Sequence, residues 1–182
     1  MIVISDEIYS LIDFRKEKFS SIRRYLPEST VVTGGMSKAF SAGGWRLGLA
    51  FVPDAMSDMI KPWNALISET FSCVNAPVQY AALEAFSQFE ALRPQIQRFT
   101  EIHSVAGSYL FKRFMQMDLN CPEPEGAFYL FPDFQNHREI LKKRGITKCH
   151  ELVDDLLNAR QVAILPGTDF YMKPEDICVR VA

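Results

Sequence analysis

Histidine is scarce in this 182-residue chain: there are three, His103, His137 and His150. Cysteine is nearly as rare, at four, and no two form a CxxC pair. Scattered thiols at Cys73, Cys121, Cys149 and Cys178 read as reduced and intracellular rather than as a disulfide frame. Only Cys149 and His150 are neighbours, and a zinc site would need two more ligands at workable spacing, so no metal is expected. No apolar run reaches membrane-spanning length. Excess charge is missing too: the net charge is -2, which gives no bulk attraction to nucleic acid or anionic lipid. The opening MIVISDEIY has no basic leader and carries acid within seven residues. It reads as a strand, not a signal peptide. A chain that opens inside a strand is expected to be part of a longer one. There is no internal repeat or low-complexity segment.

What is present is enough apolar material for a sizeable core. Hydrophobic residues make up 48% and charged residues 23%, consistent with one generous domain or two small ones. MIVIS suits a strand buried on both faces. Residues 13 to 28 are charged and read as a surface loop with a short helix. STVVTGG (29–35) and RLGLAFVP (46–53) give two more strands, stopped by glycines and by Pro53. Helical spacing follows in 53–71, interrupted at Pro62. Residues 76–92 predict a helix with Pro77 in its first turn. A longer amphipathic helix is predicted from Pro94 to about Met117, with Ile96, Phe99, Ile102, Ala106, Tyr109 and Leu110 on one apolar face. The stretch 121–134 reads as a proline-punctuated strand. Helices over about 136–144 and 148–160 and two short strands, QVAILPG and DICVRVA, complete the chain.

One stretch stands out, GGMSKAFSAGGWRLG (34–48), with Lys38 between glycine pairs and Arg46 eight places on. A lysine amine acts as a nucleophile only when deprotonated or when trapped by a carbonyl. The small residues around it leave room for a bulky group; a solvated lysine in a glycine turn would also fit. The spacing is not that of a GxxxxGK[ST] phosphate loop. The string G-M-S-K-A-F-S-A-G-G-W-R-L-G does satisfy, position by position, the lysine signature of the class I/II aminotransferases. These are pyridoxal-phosphate enzymes of the aspartate aminotransferase superfamily. SDEIYSLIDF (5–14) resembles the segment before that lysine, and NAPVQYAALEAF (75–86) the helix after it. PEGAFYLFPDF (124–134) and the segments 164–182 are similar to the family's small-domain strands. The resemblance spans the chain but matches about the C-terminal half of the family's usual length.

That resemblance implies an α/β fold: residues 1–100 as the C-terminal part of a fold type I large domain, with three strands plus helices, and 101–182 as a small α+β domain. It implies pyridoxal 5'-phosphate as cofactor, with Lys38 as the Schiff-base lysine that afterwards shuttles the substrate proton. Asp6 resembles the carboxylate that keeps the pyridine nitrogen protonated, although an Asp at a strand end is often a turn residue. Tyr9 resembles the phenol that hydrogen-bonds the ring oxygen, or else is an amphipathic tyrosine at a sheet edge. Arg46 would clamp the phosphate with its planar fork; a surface ion pair is its alternative. Ser37 is carried as a phosphate ligand, and Trp45 as packing only. Arg180 resembles the arginine that pairs with the substrate α-carboxylate. Its place in the apolar strand CVRVA, where a charge needs a partner, points the same way from the residues alone.

The implied reaction is transamination between an amino acid and a 2-oxo acid, in a cytoplasmic enzyme that is a homodimer at full length. A carbon–sulfur lyase or cyclising synthase shares the signature, because one carbanion can partition several ways. A non-catalytic truncated domain is the third reading. By the same resemblance, the glycine-rich phosphate loop and the residue stacking on the ring lie outside these residues, so the chain alone is expected to hold the cofactor weakly. A DNA-binding sensor is disfavoured by the absence of a helix-turn-helix or basic stripe.

Overall fold

The computed structural model describes residues 1–17 and 19–182. It divides into two compact units, Met1–Glu101 and Ile102–Ala182.

The first unit holds a three-stranded sheet in the order β1-β2-β3, with β1 at Val3–Asp6, β2 at Thr30–Gly35 and β3 at Gly48–Phe51. Short apolar runs predicted these strands; β1 and β2 carry β-branched residues, which suit a pleated, half-buried surface, while β3 has none. β1 and β2 are parallel, with Val3 opposite Thr30 and Asp6 opposite Thr33. β2 and β3 are antiparallel, with Gly35 opposite Gly48. Gly35 is required by close approach: a Cβ there would stand 2.6 Å from the Leu47 carbonyl oxygen. The charged segment between β1 and β2 holds a 3-10 turn at Ile22–Arg24.

Three helices follow: α1 at Ile60–Thr70, α2 at Ala76–Ser87 and α3 at Phe89–Gln116, the last crossing the boundary between units. Pro62 does not interrupt a helix as expected. It lies in the first turn of α1, just after a 3-10 segment at Asp54–Met59, where a missing N–H costs little. Pro94 does not start a helix either. α3 begins five residues earlier and carries Pro94 inside it. The predicted face of α3 is also only partly right. Ile96 is buried, but Ile102 and Tyr109 are 56% and 63% exposed. The unit's core joins Met36, Ala42, Leu47 and Ala82, with Phe40, Leu49, Val74, Val78 and Ala85 packed against them.

The second unit packs Leu141, Ile146, Leu152, Ile177 and Val179 with Phe134, Val153, Leu156, Ile164 and Val181. α4 is Arg138–Lys143 and α5 is Cys149–Arg160. β4 (Leu165–Pro166) and β5 (Val179–Arg180) form an antiparallel pair. The strand expected over 121–134 is absent as a continuous ladder. Isolated bridges replace it, Asn120 with Asp133, Leu130 with Val181 and Asp133 with Cys178. Pro122, Pro124 and Pro132 each lack the N–H a ladder needs. Burial, with the nearby Asp133 carboxylate adding to it, raises the Cys178 thiol to about 11. It is therefore a packing residue, not a nucleophile. No helix among the described residues is long and apolar enough to cross a membrane.

Candidate functional site

The sheet topology gathers five of the six singled-out residues. Asp6 ends β1 opposite Thr33, and β2 runs two residues further to Gly35. The chain leaves there and returns at Gly48 beside it. Residues 36–47 therefore loop out at the carboxyl end of the parallel pair, the end at which open α/β sheets bind ligands. Beyond Asp6 the chain turns. The Ser10 N–H donates to the Glu7 carbonyl at 3.0 Å and the Ile12 N–H to the Tyr9 carbonyl at 2.8 Å, which sets Tyr9 at the same end. The Lys38 Nζ lies 5.6 Å from the Tyr9 ring centroid.

The Lys38 loop is not a slack glycine turn. Met36, Ala39, Ala42 and Leu47 are all buried, at 3%, 5%, 8% and 6% exposure. Ser37, Lys38 and Arg46 lie between them, half-buried or exposed. The Ser41 N–H donates to the Lys38 carbonyl and the Ala42 N–H to the Met36 carbonyl, at 3.0 and 3.1 Å. Ser41 and Arg46 take left-handed backbone conformations, at φ 53° and 55°, which non-glycine residues adopt at a cost of about 1 kcal/mol. Four buried residues anchor the loop, and Lys38 sits between two of them, Met36 and Ala39.

Asp6 is held through one oxygen. Its Oδ1 accepts from the Thr33 hydroxyl at 3.2 Å and from the Ile8 N–H at 3.4 Å. Its Oδ2 has no hydrogen-bond donor among the described residues. The Arg46 guanidinium donates one bond to the Gly43 carbonyl at 2.6 Å, which leaves four of its five N–H donors for a ligand. It borders a groove of about 690 Å³ with Trp45, Phe71, Cys73 and Asn75. A smaller apolar cavity of about 270 Å³ lies behind the lysine loop, lined by Met36, Phe40, Ala85 and Ile96 among others. Asp6, Tyr9, Lys38 and Arg46 do not line it, so it is not the space these four groups address.

Arg180 belongs to the second unit. Its guanidinium carbon lies 4.5 Å from the Tyr129 ring centroid and 4.6 Å from that of Phe170. Its Nε is buried with no hydrogen-bond partner, and no salt bridge to it occurs among the described residues. The sequence reading missed both aromatic partners. The aromatic density of GAFYLFPDF was the available signal for Tyr129, and nothing in the local sequence marked Phe170. A guanidinium within 4.6 Å of two ring centroids, with an unpaired buried N–H, can receive a planar anion. Among the described residues, no cluster of three or more His, Cys, Asp or Glu could hold a metal ion.

A parallel strand pair that brings a lysine, a tyrosine and a carboxylate to its carboxyl end defines an α/β ligand-binding unit. The family is fixed by comparison. The model of aminotransferase class I and II matches residues 1–182, and the chain belongs to that family. It is 33% identical over 174 residues to an aspartate aminotransferase of Geobacillus stearothermophilus, covering 93% of this chain and 42% of that protein. It is 33% identical to a probable N-acetyl-LL-diaminopimelate aminotransferase of Bacillus subtilis, covering 92% of this chain and 39% of the relative. Among solved structures, a Thermus thermophilus aspartate aminotransferase mutant superposes with a TM-score of 0.83 at 30% identity, over 100% of this chain and 46% of that one. An aromatic aminotransferase from Pyrococcus horikoshii gives 0.82 at 28% identity, with the same coverages. The chain thus spans less than half the length of these relatives. Its assignment to their C-terminal half is not upheld by these matches, because the coverages measure how much of each relative is matched. What they support is the α/β fold of aspartate aminotransferase structures.

Proposed function

We propose that this chain carries the lysine-bearing part of a pyridoxal-phosphate-dependent transaminase that moves an amino group between an amino acid and a 2-oxo acid. The observation that carries the reading is the set at one sheet end: Lys38 beside Tyr9, with the Asp6 Oδ2 unengaged. The residues fit the cofactor in kind, since they offer an amine, an acceptor for a ring N–H, a phenol and a phosphate-binding fork. When bound, pyridoxal phosphate supplies an aldehyde and an electron-accepting ring.

The chain's own groups do the rest. The Lys38 Nζ is the amine that would hold the cofactor by its aldehyde and, when free, would take up the proton at the substrate Cα. The Asp6 Oδ2 would accept from the pyridine N–H and hold that proton in place. The Tyr9 hydroxyl would donate to the ring oxygen, with its ring 5.6 Å from the Lys38 Nζ. The Arg46 fork and the Ser37 hydroxyl take the phosphate oxygens. Arg180 takes the substrate α-carboxylate through its planar N–H pair. The relatives are named for aspartate, aromatic and diaminopimelate-type substrates, so the proposal stops at amino acids that carry an α-carboxylate. A homodimer is proposed for the full-length form, and light scattering tests it.

The deciding experiment mixes the purified chain with pyridoxal phosphate, follows the visible absorbance, reduces with borohydride and maps the labelled peptide. A stoichiometric label on Lys38 is the expected result. No band, or label scattered over surface lysines, refutes the reading. With an amino acid added, accumulation of the pyridoxamine form supports transamination. Release of 2-oxo acid and ammonia would replace it with elimination chemistry.

A further inference from the structure

Asp6 is an exposed residue at the last position of a strand, where two free side-chain torsions would let its carboxylate swing. The structure ties it down from the neighbouring strand. Thr33 is its register partner across the parallel pair, so both side chains leave the same face of the sheet. The Thr33 Oγ1 donates to the Asp6 Oδ1 at 3.2 Å, shorter than the 3.4 Å contact from the Ile8 N–H. A β-branched side chain has a stiff χ1, so the direction of its hydroxyl is set by the strand backbone. Because Oδ1 takes both contacts, Oδ2 is the oxygen left to meet an external donor.

We propose that Thr33 is a positioning residue: its hydroxyl clamps the Asp6 Oδ1 so that Oδ2 is presented in one fixed orientation to the N–H of a bound nitrogen heterocycle. The inference rests on the reading of Asp6 given above, and it assigns to the chain a residue that reading does not use. Thr33 touches no reacting atom and acts through Asp6. Two hydroxyl-bearing residues can fill the role. Valine, with the same shape and no donor, cannot.

The test is made first on the ligand-free chain. Three-bond nitrogen–carbon and carbon–carbon couplings to the Asp6 carboxyl carbon report its χ1 distribution by NMR. The wild-type chain is expected to give one rotamer, Thr33→Val an averaged set, and Thr33→Ser a return toward the wild-type values. A single rotamer in Thr33→Val, or averaging already in the wild type, overturns the proposal. The second readout is pyridoxal phosphate affinity from the visible band. Thr33→Val should bind roughly fivefold more weakly, as expected for loss of one partly exposed hydrogen bond to a charged group, with label still confined to Lys38 at saturation. Thr33→Ser should stay near wild type. Equal affinity in Thr33→Val overturns the role. If the wild type takes no label on Lys38, the proposed function fails, and the couplings alone decide whether Thr33 positions Asp6.

Discussion

Replacing Arg180 by methionine separates a side chain that supports the fold from one that waits for a ligand. Methionine keeps the apolar stem and packs against both rings, with sulfur–aromatic contacts of about 0.3–1.5 kcal/mol. The variant loses two guanidinium–ring contacts, at 4.5 and 4.6 Å, each worth about 0.5–1 kcal/mol at a half-exposed site. It also removes a buried Nε that has no partner, and relief of an unsatisfied N–H returns about 1–3 kcal/mol. The gains match or exceed the losses, so urea unfolding should show Arg180→Met no less stable than the wild type. Binding should behave differently. Two charge-assisted bonds to a carboxylate are worth about 3 kcal/mol or more, at least a hundredfold in affinity. Titration calorimetry with a 2-oxo acid, on cofactor-loaded protein, reads that difference. Arg180→Lys should fall between, because it keeps the charge and loses the fork. A loss of more than about 3 kcal/mol in unfolding free energy would make Arg180 a pillar of the second unit. Unchanged carboxylate affinity would remove it from the site.

Two further outcomes follow from packing and charge. Gly167→Ala would set a Cβ 2.5 Å from the Cys178 Sγ and 2.9 Å from the Cys178 carbonyl oxygen. That oxygen already accepts from the Gly167 N–H at 2.8 Å and cannot retreat without breaking the bond. Overpacking of this kind costs about 1–3 kcal/mol, a drop of about 4–8 °C in Tm per kcal/mol for a unit this size. Gly44→Ala, with nothing within 4 Å, is the control, and equal melting of the two variants would contradict the packing. Asp13 gives the pH dependence. Hydrogen bonding from the Arg15 side chain, chiefly, lowers its carboxyl from 3.8 to about 2. The folded form therefore prefers the charged state. The stabilisation is full above pH 3.8 and is lost as pH falls toward 2. At about 1.4 kcal/mol per pH unit the upper bound is near 2.5 kcal/mol. Because Arg15 is 45% exposed, solvent screening leaves about 1 kcal/mol. Urea midpoints of the wild type and Asp13→Asn should differ near neutral pH and converge near pH 2; a constant gap would refute the linkage.

The strands of the first unit were legible because short apolar runs bounded by turn residues have few other uses. The α3 face was not, and the reason is particular. Ile102, Val105 and Tyr109 form an apolar stripe that is 56%, 71% and 63% exposed, while Gly107 on the opposite side is buried and His103 half-buried. Hydropathy scores reject those two as core. His103 is accepted because its ring lies 5.1 Å from that of Phe128, and Gly107 because it has no side chain to keep out. The segment 121–134 failed for the converse reason. Its apolar residues carry a strand pattern, but its prolines withhold the donors that would join it into a ladder.

The lysine motif and the arginine–aromatic cluster differ in legibility for one physical cause. In residues 36–47, chemistry and packing constrain neighbouring positions of one continuous segment: Met36, Ala39, Ala42 and Leu47 go inward, and Ser37, Lys38 and Arg46 lie between them. Of the loop's small residues, Ala39 and Ala42 are buried, and Ala42 joins the core that includes Ala82 of α2. A sequence pattern that encodes both at once can be read along the chain. Arg180 draws on Tyr129, far away in sequence, and on Phe170 in the 3-10 turn before β5, and only folding brings the two rings to it. The sequence could show a charge in an apolar strand, which is half of that arrangement. The aromatic walls that hold the charge without neutralising it, and so leave it open to an anion, come from the fold.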